Sequence, residues 1–466
     1  MAGRQNGAGT GSDIREAVTH AAPVDAVHQP QEWGRYRSYL LFLLLVLINA
    51  LSYADRHLLP AFASQISADL ELSRQQFGLL TGFAFVSVYA VSGPLMGMLA
   101  DRYNPSRVIA ICLVIWSVMT CFTGMAKNFL HILLPRMAIG VGEAALHPSA
   151  AGILSRIFDA KNRATVFGLF FMGSHVGMGL AYWLAGNVGE TTGWRQLFFI
   201  LGALGILLSG VLLLAARGMP EIASGEAEHP ASPVSSGKPT FRSMSRDLVT
   251  AFRYEPNFRY AVLGMSLLHM LYASSQFMQL WLVADKGMAQ SVASSLYGTV
   301  YLAIAIPSGI LGGLAADWFC RRFNSSRAMF VVLVMLCSGP LLLLFRVTPA
   351  SQHMFLVGMA ASVFLLSFPY GAIFSLVLDN TPENIQSTAV GFTMFVANVL
   401  VIGTGTYLVG LGADLMGDFG VAEPLTRTLL CADTITLCSG LIYFKLHLKL
   451  KRQTKLLARA PAQVNG

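Results

Sequence analysis

Four charged side chains, Asp55, Arg56, Arg136 and Glu143, interrupt stretches that are otherwise apolar. A charge near the middle of a hydrocarbon layer costs at least about 2.5–3.5 kcal/mol, so such residues mark ion, proton or ligand paths. Arg136 and Glu143 are seven residues apart, two helical turns, which puts them on one face about 10 Å apart along the axis. That is too far for a direct pair. Each is therefore expected to meet a partner from another helix, Arg136 with Asp55 and Glu143 with Arg56. Neighbouring residues point about 100° apart on a helix, so Asp55 and Arg56 can serve different partners. A proton that neutralises one carboxylate would switch its ion pair off, and these four residues are the candidates for proton coupling.

Other polar groups in apolar stretches are candidates for contact with a ligand. His147 lies four residues after Glu143, and His175 and His269 occupy later stretches. Gln276, Gln279 and the Phe368-Pro369-Tyr370 segment offer amide and aromatic groups from the second half. Enzyme signatures are missing. Gly140-Val141-Gly142-Glu143-Ala144-Ala145 mimics a dinucleotide fingerprint but has no preceding strand. The chain contains no Gly-x-x-x-x-Gly-Lys-[Ser/Thr], no His-Glu-x-x-His and no Gly-x-Ser-x-Gly. The six cysteines show neither CxxC nor Cys/His spacing, so no disulfide framework, metal or other cofactor is expected.

The elements that must hold these residues are membrane helices. Of 466 residues, 54% are hydrophobic and only 12% charged, about half the charged share of a soluble domain. Mean hydropathy is +0.58. Residues 1–37 hold no apolar run, and no signal peptide is expected there. Six apolar stretches follow at about 38–64, 77–100, 107–126, 130–155, 164–187 and 194–216. A polar segment rich in Ser, Pro and Gly, 217–258, reads as a flexible linker. Six more stretches come at about 259–284, 291–316, 327–346, 353–378, 387–411 and 428–447, before a basic tail, 448–466. The expected fold is all-α: 12 transmembrane helices in two six-helix bundles, 38–216 and 259–447.

Orientation follows from Lys and Arg. The side that carries both tails collects 24 of the 32, the other side six, and Arg56 and Arg136 lie within spans. Both termini are thus expected in the cytoplasm of a multi-pass protein, in a bacterial inner membrane. This topology accounts for the net charge of +8 without nucleic acid as a partner. The basic run Lys445–Arg459 faces anionic lipid headgroups on this reading.

A repeat relates the two halves. Gly97-Met98-Leu99-Ala100-Asp101-Arg102 through Arg107 is echoed by Gly313-Leu314-Ala315-Ala316-Asp317, Arg321, Arg322 and Arg327, offset by 216 for the Gly and Asp. A weaker echo links 159–168 with 379–391. The first loop, GMLADRYNPSR, resembles the signature of the major facilitator superfamily at every defined position. The resemblance implies a conformational latch of Gly97, Asp101, Arg102, Arg107 and Asp317 that holds the halves together when the site faces outward. In it, Gly97 lets two helices approach, and Asp101 caps the eleventh span near Ser387 and Thr388. At the repeat offset, the four buried charges correspond to Leu271, Tyr272, Gln352 and Met359. That asymmetry places coupling in the first bundle alone.

A narrower resemblance rests on Leu79–Phe85, on Asn49 with Tyr53-Ala54-Asp55-Arg56, and on Arg136–Ala144. These are similar to the Spinster group, whose animal members move sphingolipids or lysolipids. Tyr-x-Asp-Arg, Arg-x-x-x-Gly-x-Gly-Glu-Ala and the following His147-Pro148 are also similar to the anion:cation symporter family, importers of sugar acids and related anions. The resemblance implies a monomeric secondary active transporter working by alternating access with protons. Its substrate would be an amphipathic lipid-like or organic compound, or else a small organic anion. The alternative of another class is a non-transporting receptor or scaffold. On either transport reading, His147, His175, Gln276, Gln279 and Tyr370 are expected at the substrate.

Overall fold

The structure is a computed structural model that describes residues 35–158, 162–217, 241–381 and 385–459. These residues form helices joined by short turns, with no strand among them. Asn104 starts the third span by accepting from the backbone of Ser106 and Arg107 ahead of Pro105, Asn128 caps the fourth, and Ser326 caps the ninth. Each supplies an acceptor to backbone N–H groups that the first helical turn leaves unpaired.

Eleven helical segments among the described residues are long and apolar enough to cross a membrane. The first bundle has Tyr36–Ala61, Arg74–Ala100, Pro105–Gly124, Phe129–Ile157, Thr165–Asn187 and Gly189–Ala215. The second has Gln290–Phe323, Arg327–Val347, His353–Asp379, Thr388–Asp418 and Pro424–Thr454. The remaining span, the seventh, is divided into Pro256–Leu268, Met270–Ser275 and Met278–Ala284, each too short to cross alone. Side-chain bonds to backbone carbonyls accompany the breaks. His269 Nδ1 lies 2.7 Å from the Met265 carbonyl oxygen, and the Ser274 and Ser275 hydroxyls donate to Met270 and Tyr272. Two other spans break near proline. The fourth turns at Ala144–Ala145, ahead of Pro148, which cannot donate to the Ala144 carbonyl. The tenth breaks at Phe368-Pro369.

The linker differs from the flexible segment expected. Phe241–Tyr254 is a helix, because Phe241, Met244, Leu248, Ala251 and Phe252 recur at helical spacing. Phe252 packs edge-on against Phe258 and Phe392. The last helix, Pro424–Arg459, runs 36 residues, about 54 Å, and so carries its basic run well beyond a hydrocarbon layer about 30 Å thick.

The bundles meet along two seams, the fifth span against the eighth and the second against the eleventh. In the second seam, wide π-helical turns at Leu79–Phe83 and Val396–Gly403 face each other. Gly82 is required there, since a Cβ would overlap the Thr406 side chain. The hydrogen bonds that join the bundles among the described residues all lie at one end. Ser64 binds Gln279 and Gln290, Ser294 donates to the Ala61 carbonyl, and Asn187 donates to Ser295. Arg74 and Gln75 meet Asp414 and Tyr407. Toward the opposite end, which carries the repeated loops, a Cβ at Gly97, Gly168, Gly309, Gly313 or Gly391 would find no atom of the other bundle within 4 Å, and the described parts of that end are parted.

Candidate functional site

The central charges gather where the first span meets the break in the fourth. Arg56 donates through Nε (3.2 Å) and Nη2 (2.6 Å) to one oxygen, Oε2, of Glu143. Glu143 is fully buried and Arg56 retains 19% exposure. Glu143 closes the helix Phe129–Glu143, so the turn at Ala144 aims it at the first span. Gly142 permits this packing, with the Cβ of Trp116 only 3.0 Å from where its own would stand. The rings of Tyr53, Phe85 and Tyr89 surround the Arg56 guanidinium at 4.7, 4.6 and 5.1 Å and stabilise its charge away from water.

The second expected pair does not form. Arg136 makes no ion pair with Asp55 but donates from Nη2 to the Arg56 carbonyl at 2.7 Å and stacks on Phe85. Asp55 Oδ2 accepts instead from Thr120 of the third span at 2.6 Å. The four charges still lie near enough to interact electrostatically. Five polar atoms of this cluster have no partner: Asp55 Oδ1, Glu143 Oε1, Arg136 Nε and Nη1, and Nδ1 of the buried His57. Unpartnered buried groups cost about 1–3 kcal/mol each, so such a concentration points to function rather than packing.

His147 links the charges to an aromatic cluster. Its Nδ1 lies 3.1 Å from the Tyr89 hydroxyl, and its ring stacks on Phe171 and meets Tyr53 edge-on. His175 approaches Tyr301 at 6.4 Å, bringing the two bundles together. His269 stacks on Tyr272 at the first break of the seventh span, and both approach Tyr370. Tyr182 of the first bundle meets Tyr297 of the second edge-on at 4.8 Å. His147 thus sits among rings of the first bundle, Tyr370 among rings of the second, and His175 at a ring contact between them. Gln279 is placed elsewhere, because Ser64 of the closed end engages both ends of its amide. Gln276 is buried beside the second break of the seventh span.

In the parted end, a side chain at Gly97 would meet only Pro148, at 3.9 Å, so the close approach expected of this glycine is not made in this state. The side chains of Asp101 and Ser387 lie outside the described residues. In the second half, Arg327 bridges Asp317 (3.0 Å) and Asp379 (2.7 Å), tying the loop to the end of the tenth span.

The expected absence of charge in the second bundle is overturned. Arg346 and Asp433 form an ion pair at 2.7 Å, both fully buried. Arg346, counted above with a loop, lies inside the ninth span, and Asp433 interrupts the apolar stretch 428–447. The rule that singled out Asp55 and Glu143 finds Asp433 too. Thr120 carried no such signal, since threonine is common in membrane helices, whereas His57 lies in an apolar stretch just as His147 does.

Comparison with known proteins agrees with this architecture. Residues 45–406 match the model of the Major Facilitator Superfamily. An MFS-type efflux pump of Mycolicibacterium smegmatis is 28% identical over 88% of this chain and 92% of its own. A hexuronate transporter of Bacillus subtilis is 26% identical over 82% of this chain and 89% of its own. A crystal structure of a bacterial homologue of the human lysosomal transporter Spinster, inward-facing and unoccupied, superimposes with a TM-score of 0.75 at 25% identity, covering 89% of this chain and 98% of the other. The chain is not an enzyme but a multi-pass membrane transporter similar to Spinster-like proteins, and it belongs to the Major Facilitator Superfamily.

Proposed function

We propose that the protein is a proton-coupled secondary transporter that moves an amphipathic, lipid-like or organic compound by alternating access. The observation that carries this reading is the Arg56–Glu143 pair, with its free Glu143 Oε1, in a molecule whose rings also meet across the bundles, His175 with Tyr301 and Tyr182 with Tyr297. Protonation of Glu143 releases Arg56 from its counter-charge, and Asp55 alongside can take over part of that role. The bundles then rearrange about a site that both of them line. The closed end faces outward and the parted end the cytoplasm, as the distribution of Lys and Arg favours in a bacterial inner membrane. The loops around Asp101 and Asp317 latch the parted end when the site opens outward, and a single chain in contact with membrane lipids suffices for the cycle.

Ring faces and hydroxyls from Tyr53, Tyr272, Tyr301 and Tyr370 suit a compound with apolar bulk and a polar end. A second reading, symport of a small organic anion, is favoured by the unpartnered Nε and Nη1 of Arg136 and by the similarity to a hexuronate transporter. Purified protein in proteoliposomes separates them: lysophospholipid or sphingoid base on one arm, hexuronate on the other, each with and without an imposed pH gradient. Gradient-stimulated movement of the amphiphile is the expected result. Gradient-stimulated hexuronate uptake alone would replace the first reading by the second, and movement of both compounds unaffected by the gradient would remove proton coupling.

A further inference from the structure

We propose that Arg346 and Asp433 are positioning residues for the gate at the closed end: they fix the interrupted seventh span so that Gln279 can close on Ser64. The inference rests on the alternating-access reading above, and it assigns a role to a buried charge pair that lies outside the coupling cluster.

The pair brackets a helix break. Asp433 Oδ1 accepts from the Ser274 hydroxyl at 2.7 Å, just before the break at Gln276-Phe277. Arg346 reaches Met278 Sδ, just after it, at 3.8 Å. The piece beyond the break is held in the same grip. Its Trp281 ring lies 4.6 Å from the Arg346 guanidinium, and Trp281 Nε1 donates to Thr426 Oγ1 at 2.8 Å. The Thr426 amide in turn donates to Asp285 at 2.6 Å. The segment from Ser274 to Asp285 is thereby fastened to the ninth and twelfth spans.

That segment carries the gate. Gln279 accepts from the Ser64 amide and donates to the Ser64 hydroxyl, both at 2.9 Å, and that hydroxyl is 3.1 Å from Gln290 Oε1. Across the break the helical ladder gives way to tight turns, Gln276 N–H to Ala273 O and Phe277 N–H to Ser274 O, which fix the relative direction of the two short pieces only weakly. Side chains must do it. A buried ion pair adds little stability over apolar residues of equal volume, and its best-attested use is to fix one arrangement among several. One nitrogen of Arg346, Nη2, has no partner, and the residue lines a small cavity with Ser275, Tyr297 and Ser362. The guanidinium thus has polar groups at hand for a second arrangement when the gate opens.

The test follows the gate directly and needs no substrate. Spin labels are placed at Glu71 and Phe419, exposed positions on opposite bundles at the closed end, in the full-length chain with its six cysteines replaced by alanine. Pulsed electron paramagnetic resonance in nanodiscs then gives the ratio of open to closed distances. Ser274→Ala removes one tether without stranding a charge. Arg346→Met combined with Asp433→Val removes both charges together with little change in summed volume, so that folding is retained. Each is expected to raise the open-to-closed ratio about tenfold, the effect of losing one hydrogen bond to a charged group. Wild-type distance distributions in both variants, with only the melting temperature changed, would overturn the proposal and leave the pair as packing. A shifted distribution in a protein that moves no compound would still support the gate and count against the transport reading alone.

Discussion

Replacing Glu143 by glutamine removes one proton site and one charge while keeping shape and an oxygen that Arg56 can still bind. The Arg56 guanidinium then loses its counter-charge. Breaking a fully buried pair costs about 3–5 kcal/mol. Here Arg56 keeps 19% exposure and three ring faces within 5.1 Å, each worth about 0.5–2 kcal/mol, and Asp55 is the adjacent residue. The net destabilisation is therefore expected near the lower end, about 2–3 kcal/mol, which leaves a folded protein. Transport gives the larger signal. With one proton per substrate, a gradient of one pH unit is worth about 1.4 kcal/mol and sustains about tenfold accumulation. In Glu143→Gln that ratio should fall to about one, while exchange of labelled for unlabelled substrate across the membrane persists. Accumulation and exchange are measured in the same proteoliposomes, with melting temperature as the control for folding. Undiminished gradient-driven accumulation in a folded Glu143→Gln protein would refute the coupling role and return the pair to structure.

Three further outcomes are expected. Asp101→Asn should slow transport with substrate affinity unchanged, because it weakens the latch and leaves the cavity intact; parallel binding and flux measurements check this, and an equal loss of both would count against the latch. Gly82→Ala should disfavour the closed end, since the added methyl overlaps Thr406; cross-linking across the second and eleventh spans should fall about fivefold or more, the effect of at least about 1 kcal/mol of overpacking. Hydrogen bonds from Trp194 and Arg195 lower the Asp69 pKa below its usual value of 3.8. Their stabilisation is therefore present above that value and is lost as pH falls through the lowered one. Melting curves of wild type and Asp69→Asn should differ at neutral pH and converge as acidification protonates Asp69, and a constant difference would show that the contact does not depend on ionisation.

Periodicity in apolar residues was enough to read the spans, because a membrane helix must satisfy its own backbone and announces itself by length. The seventh span is the instructive exception. Its residues 259–284 are apolar enough for one crossing, yet tight turns at His269 and at Gln276-Phe277 divide it. A local turn of that kind leaves no mark on average hydropathy. At the site, the spacing of Arg136 and Glu143 located the charges, and the contact between Glu143 and Arg56 is present. The partner of Asp55 was not legible, since a threonine from the third span supplies it and nothing in sequence ties position 120 to position 55. The second buried pair was missed for a different reason. Arg346 sits one residue from a helix end, where a long basic side chain ordinarily reaches for water, whereas this one turns inward to Asp433.

The bonds that shut one end of the molecule are mostly between uncharged groups: serine hydroxyls, glutamine amides and a backbone carbonyl. Every one of them has a ready substitute in water, so separating them exchanges partners at a net loss of only about 0.5–1.5 kcal/mol apiece. The ion pair among them, Arg74 with Asp414, is partly exposed and long at 3.6 Å, and such pairs contribute little. A door fastened in this way does not need a strong push. A cargo held with micromolar affinity in one state and a few-hundredfold more weakly in the other would supply about 3 kcal/mol, enough to reverse a balance of that size. Speed of turnover, rather than tightness of closure, is what a zipper of neutral groups is built to favour.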